Sequence, residues 1–391
     1  MKTRLILILL LASSMLVKPL AQSSEALMKL VLEKNRKLMA AREAVHVAVL
    51  EAGTGNTPPD PEVEFGYLFG SPSGLGNRID FGITQQLDFP TAYFNRSELK
   101  KIKHSQAELE YILTRQEVLL EARQIWIEHL HFNQLRKLLG DRLRQARVIA
   151  SHMEQKQKAG EANLLELGQS RLMVASLEGE YEELLALSAD LRIALREMTG
   201  GVDMEITDTL FPLPVPIIAD SLLEAYRLNP YAQYFDQELQ AKQAQKKLAV
   251  SNHLPKLSAG YYSEAVTSEA FRGFRLGLTV PLWENANTVK KAKSEVAFAQ
   301  AEIDRYALHQ EREVLQKLNK LESFRKRARK LEEALGAVNS LSLLATSLEN
   351  GEISLSEYFY TSDFYFRNQV QLLGYKRDFL LQEADLLRIF L

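Results

Sequence analysis

The sequence predicts a mixed fold of α-helix and transmembrane β: a tandem repeat in which each half runs helix, β-hairpin and long coiled-coil helical hairpin. Three observations lead there. Blocks of residues recur in order at near-constant spacing, short segments alternate apolar and polar residues, and two stretches of roughly 65 residues lack Pro and hold one Gly each.

The chain of 391 residues opens with Lys2 and Arg4 ahead of Leu5-Ile6-Leu7-Ile8-Leu9-Leu10-Leu11-Ala12, followed by small residues and Ala21-Gln22. A basic start, a short apolar core and a small residue at the cut form the pattern of a secretory signal over 1–21. The core is too short to span a bilayer, and no later run reaches the ~20 apolar residues of a spanning helix. Composition narrows the rest. With 48 Lys+Arg against 50 Asp+Glu, a net charge of −2 gives no basic excess, so nucleic acid is not an expected partner. The absence of Cys excludes disulfides, thiolate nucleophiles, Cys-ligated zinc, iron–sulfur clusters and a lipidated N-terminal Cys.

Asn35, Pro61, Gly66 and Tyr67 recur at one offset as Asn229, Pro255, Gly260 and Tyr261, and Gly82-Ile83-Thr84 recurs one residue further on as Gly277-Leu278-Thr279. Gly160-Glu161-Ala162-Asn163-Leu164-Leu165-Glu166 returns as Gly351-Glu352-Ile353-Ser354-Leu355-Ser356-Glu357. The repeats span 22–210 and 217–391, joined over 211–216 by Phe211-Pro212-Leu213-Pro214-Val215-Pro216, whose alternate prolines hold an extended connector.

In the first repeat Val63, Phe65, Tyr67 and Phe69 alternate with Glu62, Glu64, Gly66 and Gly70; after a Pro72-Ser73-Gly74 turn, Ile79, Phe81 and Ile83 alternate with Asp80, Gly82 and Thr84. This period of two predicts a hairpin over about 61–88 with one apolar face. In the second, Phe274, Leu276, Leu278 and Val280 alternate with Gly273, Arg275, Gly277 and Thr279, and a weaker strand with Leu257, Ala259 and Tyr261 on one face completes a hairpin over about 256–281. Segments of about 9–11 residues match a tilted crossing of an outer membrane. A water-soluble sheet covered by helices is the alternative from alternation alone.

The helices decide against it. Helical hairpins are expected over about 93–199 and 285–390, with arms of about 100 Å at 1.5 Å per residue. Val289, Ala292, Val296, Ala299, Ile303 and Tyr306 keep the 3-4 spacing of a heptad seam, and Ile112, Leu119 and Trp126 recur every seven residues. The basic run Arg325-Lys326-Arg327-Ala328-Arg329-Lys330 reads as a solvated helix face. Four strands cannot close a barrel, and open edges are not tolerated in lipid, so chains must pool strands. Two chains would give about eight strands and a filled barrel; three would give about twelve and a pore.

The signal segment, the tandem repeat and Gly-Glu-x-x-Leu-x-Glu at each helical turn resemble the TolC family of outer-membrane efflux proteins over the whole mature chain. The resemblance implies a homotrimer in the outer membrane, a twelve-stranded barrel continuing into an α-helical periplasmic tunnel. It implies passive efflux, with no cofactor or metal, of substrates delivered by an inner-membrane pump of the RND or ABC type through a periplasmic adaptor (membrane fusion protein). The glycine turns, Gly160 with Glu161 and Gly351 with Glu352, would form the adaptor-docking tip, and Glu166 and Glu357 a gate ring. Val63, Phe65, Tyr67, Phe69, Phe274, Leu276, Leu278 and Val280 would face outer-membrane lipid. Ile353 and Leu348 stand where the family's gate-closing Arg and Tyr are found, so that closing network is not expected.

An enzyme would need a site constellation, and HExxH, GxSxG and phosphate-loop motifs are absent. The seven His are scattered, and His129 and His131 project about 200° apart on a helix, too far to share a ligand set. A soluble periplasmic adaptor would lack amphipathic hairpins in both repeats, and a channel for type I protein secretion would use the same fold. A dipole reading assigns Glu161 and Glu352 to the helix starts and leaves Glu166 and Glu357, six residues beyond the glycines, for the pore. Leu164 and Leu355 read as seam residues, and the aromatic stretch from Tyr358 to Phe366 as packing between helices.

Overall fold

The computed structural model describes residues 21–391 except 73, 75, 162, 268 and 337–339; the signal segment, apart from Ala21, lies outside the described residues. Helices α1 (Ala21–Lys34) and α2 (Arg36–Gly53) lead to strands β1 (Glu62–Leu68) and β2 (Arg78–Leu87), then α3 (Pro90–Lys158) and α4 (Leu164–Met198). The second repeat follows with α5 (Ala219–Arg227), α6 (Pro230–Ser251), β3 (Lys256–Val266), β4 (Glu269–Thr279), α7 (Thr288–Gly336), α8 (Ser340–Glu349) and α9 (Leu355–Leu386). Where one helix is expected over 285–350, α7 and α8 are described on either side of 337–339.

The recurring residues have local causes. Asn35 and Asn229 both cap the helix that follows: the Asn35 side-chain oxygen accepts from Leu38 N–H (3.1 Å) and that of Asn229 from Ala232 N–H (2.8 Å). Pro61 and Pro255 stand directly before β1 and β3, where a residue without an N–H costs the ladder nothing.

All four strands form one antiparallel sheet in the order β1-β2-β3-β4. The pairing of β2 with β3, Thr84 opposite Gly260, joins the hairpins of the two repeats, a link that period-two patterning does not specify. β1 and β4 are its edges.

The chain divides into two compact units, each drawing on both repeats. One comprises Ala40–Leu113 and Tyr226–Gln310 and contains the whole sheet. The heptad seam of α7 from Val289 to Tyr306 lies within it, with Ala292 and Ala299 only 6% exposed. The other comprises the described residues up to Met39, Thr114–Ala225 and Glu311–Leu391. Its core includes Leu119 and Trp126 of the second predicted seam, together with Leu130, Leu177, Leu195 and Leu386. There the connector is tied down: Val215 N–H donates to Glu383 Oε1 at 2.7 Å. Burial pushes the Glu383 carboxyl up, opposed by that bond and by Arg123 and Arg325.

His129 and His131 are buried on α3; His129 Nε2 meets the Leu191 carbonyl oxygen at 3.2 Å, whereas His131 Nδ1 has no partner. Burial, and secondarily Arg377, pushes the His131 imidazole down to about 4. Its folded pKa lies below the unfolded value near 6.5, so the unfolded chain binds the extra proton and stability falls as pH drops from about 6.5 through about 4. His131→Leu is expected to recover up to about 3 kcal/mol of that acid loss, at 1.36 kcal/mol per pKa unit. Denaturant titrations at pH 7 and pH 4 measure it; an unchanged difference between the two would contradict the assignment.

Candidate functional site

Two features are candidates, the sheet and the helical tip. In the sheet the register aligns Val63, Ile83, Tyr261 and Phe274 in one row across all four strands, with Leu87, Leu257 and Leu278 in a parallel row. These rows share one face, and the packed chain leaves it uncovered: Phe65 is 72% exposed, Phe274 89% and Leu276 84%. Val63, Tyr67, Leu278 and Val280 are exposed as well, and so is Phe69, which with Val280 stands just outside the strands. The face is not wholly apolar, since Gln85 and Arg272 also lie on it by register.

The opposite face is charged and internally paired. Arg78 meets Asp80 at 2.7 Å and Glu264 on β3 at 3.1 Å. Arg275 lies over the Tyr262 ring at 3.8 Å, and the Tyr262 hydroxyl hydrogen-bonds that of Thr84 at 2.7 Å. A sheet with a hydrated interior would put its carboxylates and guanidinium groups on one face in this way and its apolar residues on the other.

At the tip, both glycines turn the chain in the left-handed region, Gly160 at φ 78° and Gly351 at φ 75°. Both turns close identically, as Glu161 N–H donates to the Lys156 carbonyl and Glu352 N–H to the Ser347 carbonyl, each at 2.8 Å. Glu161 and Glu352 thus sit in the turns, ahead of any helix. The returning helices begin at Leu164 and Leu355, which puts Glu166 and Glu357 at their third positions. Asn163 Oδ1 accepts from Glu166 N–H (2.8 Å) while Glu166 Oε2 accepts from Asn163 N–H (3.1 Å). Glu357 does the same with Ser354, taking its N–H at 2.8 Å and its hydroxyl at 2.9 Å. Hydrogen bonds from the Ser354 backbone and hydroxyl hold the Glu357 carboxyl below the usual range.

This corrects the dipole reading: both glutamates lie in the first helical turn, where a carboxylate caps and complements the helix. The signal was legible, since Asn163-x-x-Glu166 and Ser354-x-x-Glu357 are capping-box patterns. Leu164 and Leu355 also part company. Leu355 is 4% exposed against Met153 and Leu167, with Leu348, Ile149 and Phe359 around it, whereas Leu164 is 75% exposed and no seam residue within this chain. In the aromatic stretch Tyr358 is buried and Phe366 packs on the Leu139 cluster, while Tyr360 and Phe364 are exposed.

Beside the tip a groove of about 500 Å³ runs along the end of α3 and α8, lined by Val148, Ile149, Met153, Leu348 and Tyr358 and edged by Arg144, His152, Lys156 and Glu349. Among the described residues no cluster of three His, Asp or Glu is placed to hold a metal ion. Nor is any described helix long and apolar enough to cross a membrane.

The chain thus combines an amphipathic sheet with one bare apolar face and very long helices that turn on glycines. No family model and no curated protein matches the chain, but solved structures share its fold. A membrane protein from Pseudomonas aeruginosa aligns at a TM-score of 0.79 and 17% identity, covering 94% of this chain and 90% of its own. The outer membrane protein VceC of Vibrio cholerae aligns at 0.78 and 15% identity, covering 94% and 96%. The CmeC outer membrane channel of Campylobacter jejuni aligns at 0.71 and 16% identity, covering 94% and 85%. The resemblance to the TolC family read from the repeat is met at the level of the fold.

Proposed function

We propose that the protein is the outer-membrane channel of a tripartite efflux system, a trimer whose pooled strands close a twelve-stranded barrel over a helical periplasmic tunnel. The observation that carries this reading is the sheet: four strands, an uncovered apolar face, a charged opposite face and two edges, β1 and β4, that no other described strand pairs. A soluble protein would cover such a face. In lipid the face is matched to its solvent, but the edges must pair with other copies.

Substrates delivered by an inner-membrane pump pass outward through this channel without chemistry. A periplasmic adaptor docks at the tip around Gly160, Glu161, Gly351 and Glu352, where the groove between α3 and α8 offers an apolar floor with a rim of both charge signs, Arg144 and Lys156 beside Glu349. Glu166 and Glu357, repeated three times about the axis, place about six carboxylates at the narrow end. Their capping bonds leave oxygens exposed to the lumen, where crowded like charges attract cations.

Purified protein in planar bilayers tests the reading and is expected to give discrete conductance steps with cation preference. Glu166→Gln combined with Glu357→Gln is expected to lower that preference and weaken divalent-ion block, without changing barrel stability. Wild-type selectivity and block in the double variant would remove the gate assignment; absence of any conductance would remove the channel.

A further inference from the structure

The two crossings from strand to helix, β2 into α3 and β4 into α7, each carry a bare aromatic residue: Phe94 is 76% exposed and Trp283 82%. Their neighbours converge on one place. Asn95 Nδ2 donates to Ser251 Oγ at 2.7 Å, Asn285 Nδ2 donates to the Asn252 carbonyl oxygen at 2.5 Å, and Lys256 pairs with Glu284 at 3.1 Å. Both aromatics therefore stand where the chain enters β3, at the end of the sheet closed by the apolar row Leu87, Leu257 and Leu278. Aromatic side chains at the margin of an apolar band suit the boundary between acyl chains and head groups.

The same region is rich in cations. The carboxylates nearby are occupied: Asp88 by Arg96, Glu98 by Lys247, Glu284 by Lys256 and Glu295 by Lys291. Lys101, Lys103, Lys290 and Lys293 are exposed and form no ion pair among the described residues. Helix α7 has no acidic residue in its first turn, so Lys290 in that turn lies at the positive end of the helix without a carboxylate beside it, and Lys293 follows one turn on. That arrangement works against the helix and calls for an anion from outside.

We infer that these crossings form a collar for anionic glycerophospholipid head groups, with Phe94 and Trp283 at the acyl boundary and the four lysines on the phosphates. The collar rests on the outer-membrane reading and adds to it a defined lipid partner at the periplasmic rim. Lysine stems lie along the apolar margin while their ammonium groups reach the head-group layer.

The chain has two tryptophans, and Trp126 is 1% exposed, so the difference between wild type and Trp283→Phe isolates Trp283 fluorescence. The test is quenching in proteoliposomes by lipids brominated near the carboxyl end of the acyl chain. Brominated phosphatidylglycerol is expected to quench Trp283 about twofold more than brominated phosphatidylcholine at equal mole fraction. The excess is expected to vanish when Lys101, Lys103, Lys290 and Lys293 are all changed to Gln. Equal quenching by the two lipids in the wild type, or an excess that survives the Lys→Gln variant, would overturn the collar. A second probe, Leu276→Trp in the Trp283→Phe background, separates the two ideas. Quenching at 276 without quenching at Trp283 overturns the collar alone; quenching at neither overturns the membrane reading itself.

Discussion

Phe65→Arg and Leu278→Arg are expected to keep the protein out of the membrane. Each puts a guanidinium on the uncovered face of the sheet, at a cost of about 2–4 kcal/mol near a bilayer midplane for Phe65 and less for Leu278, which lies in the row at the strand ends. The two sites lie on the outer strands β1 and β4, so neither change crowds a packed core, and Phe65 is 72% exposed in the isolated chain. A soluble sheet would tolerate both for that reason. Glu64→Arg and Thr279→Arg, one residue away on the other face, are expected to insert normally. Membrane fractionation followed by a urea wash reads the difference, and equal sensitivity of the two faces would mean that the sheet is packed on both sides by protein.

The second large effect is expected at Gly200. It follows α4 at φ 67°, and a Cβ there would overlap the carbonyl oxygen of Lys34 at the end of α1. Backbone cannot move aside as a flexible side chain can. Gly200→Ala combines left-handed strain with that overlap and is expected to cost about 3 kcal/mol or more. The tip glycines have the same sign of φ, but nothing lies within 4 Å of a Cβ at Gly160 or Gly351. Gly160→Ala and Gly351→Ala should therefore cost only the conformational strain, about 1–2 kcal/mol. Denaturant midpoints order the three variants; equal losses at all three positions would contradict this account of Gly200.

Much of this architecture is written in local patterns. The alternation of Val63, Phe65 and Tyr67 is a property of one strand, and the register then carries it across the sheet. Proline-free heptads fix the long helices, and Asn35, Asn229 and the tip glycines fix the turns. What the patterns do not contain is pairing between distant segments. Thr84 meets Gly260 through the packing of two repeats, and nothing in either hairpin alone names the other. The capping position of Glu166 is missed when its distance is counted from Gly160 and not from the helix start at Leu164. Leu164 and Leu355 occupy matching positions in sequence, yet one is bare and the other buried. Repeated sequence sets repeated conformation, while burial depends on which neighbour the chain supplies.

In the proposed trimer the repeat supplies the register for closing the sheet. Gly66 matches Gly260 and Thr279 matches Thr84; since Thr84 pairs with Gly260, Thr279 of one copy should pair with Gly66 of the next. The chain has no Cys of its own, so Gly66→Cys with Thr279→Cys gives a clean probe of this contact. Oxidised in the membrane and run without reductant, the double variant is expected to form a ladder that ends at three chains. A ladder ending at two, one continuing past three, or no cross-linked species from correctly inserted protein would contradict a barrel closed by three copies.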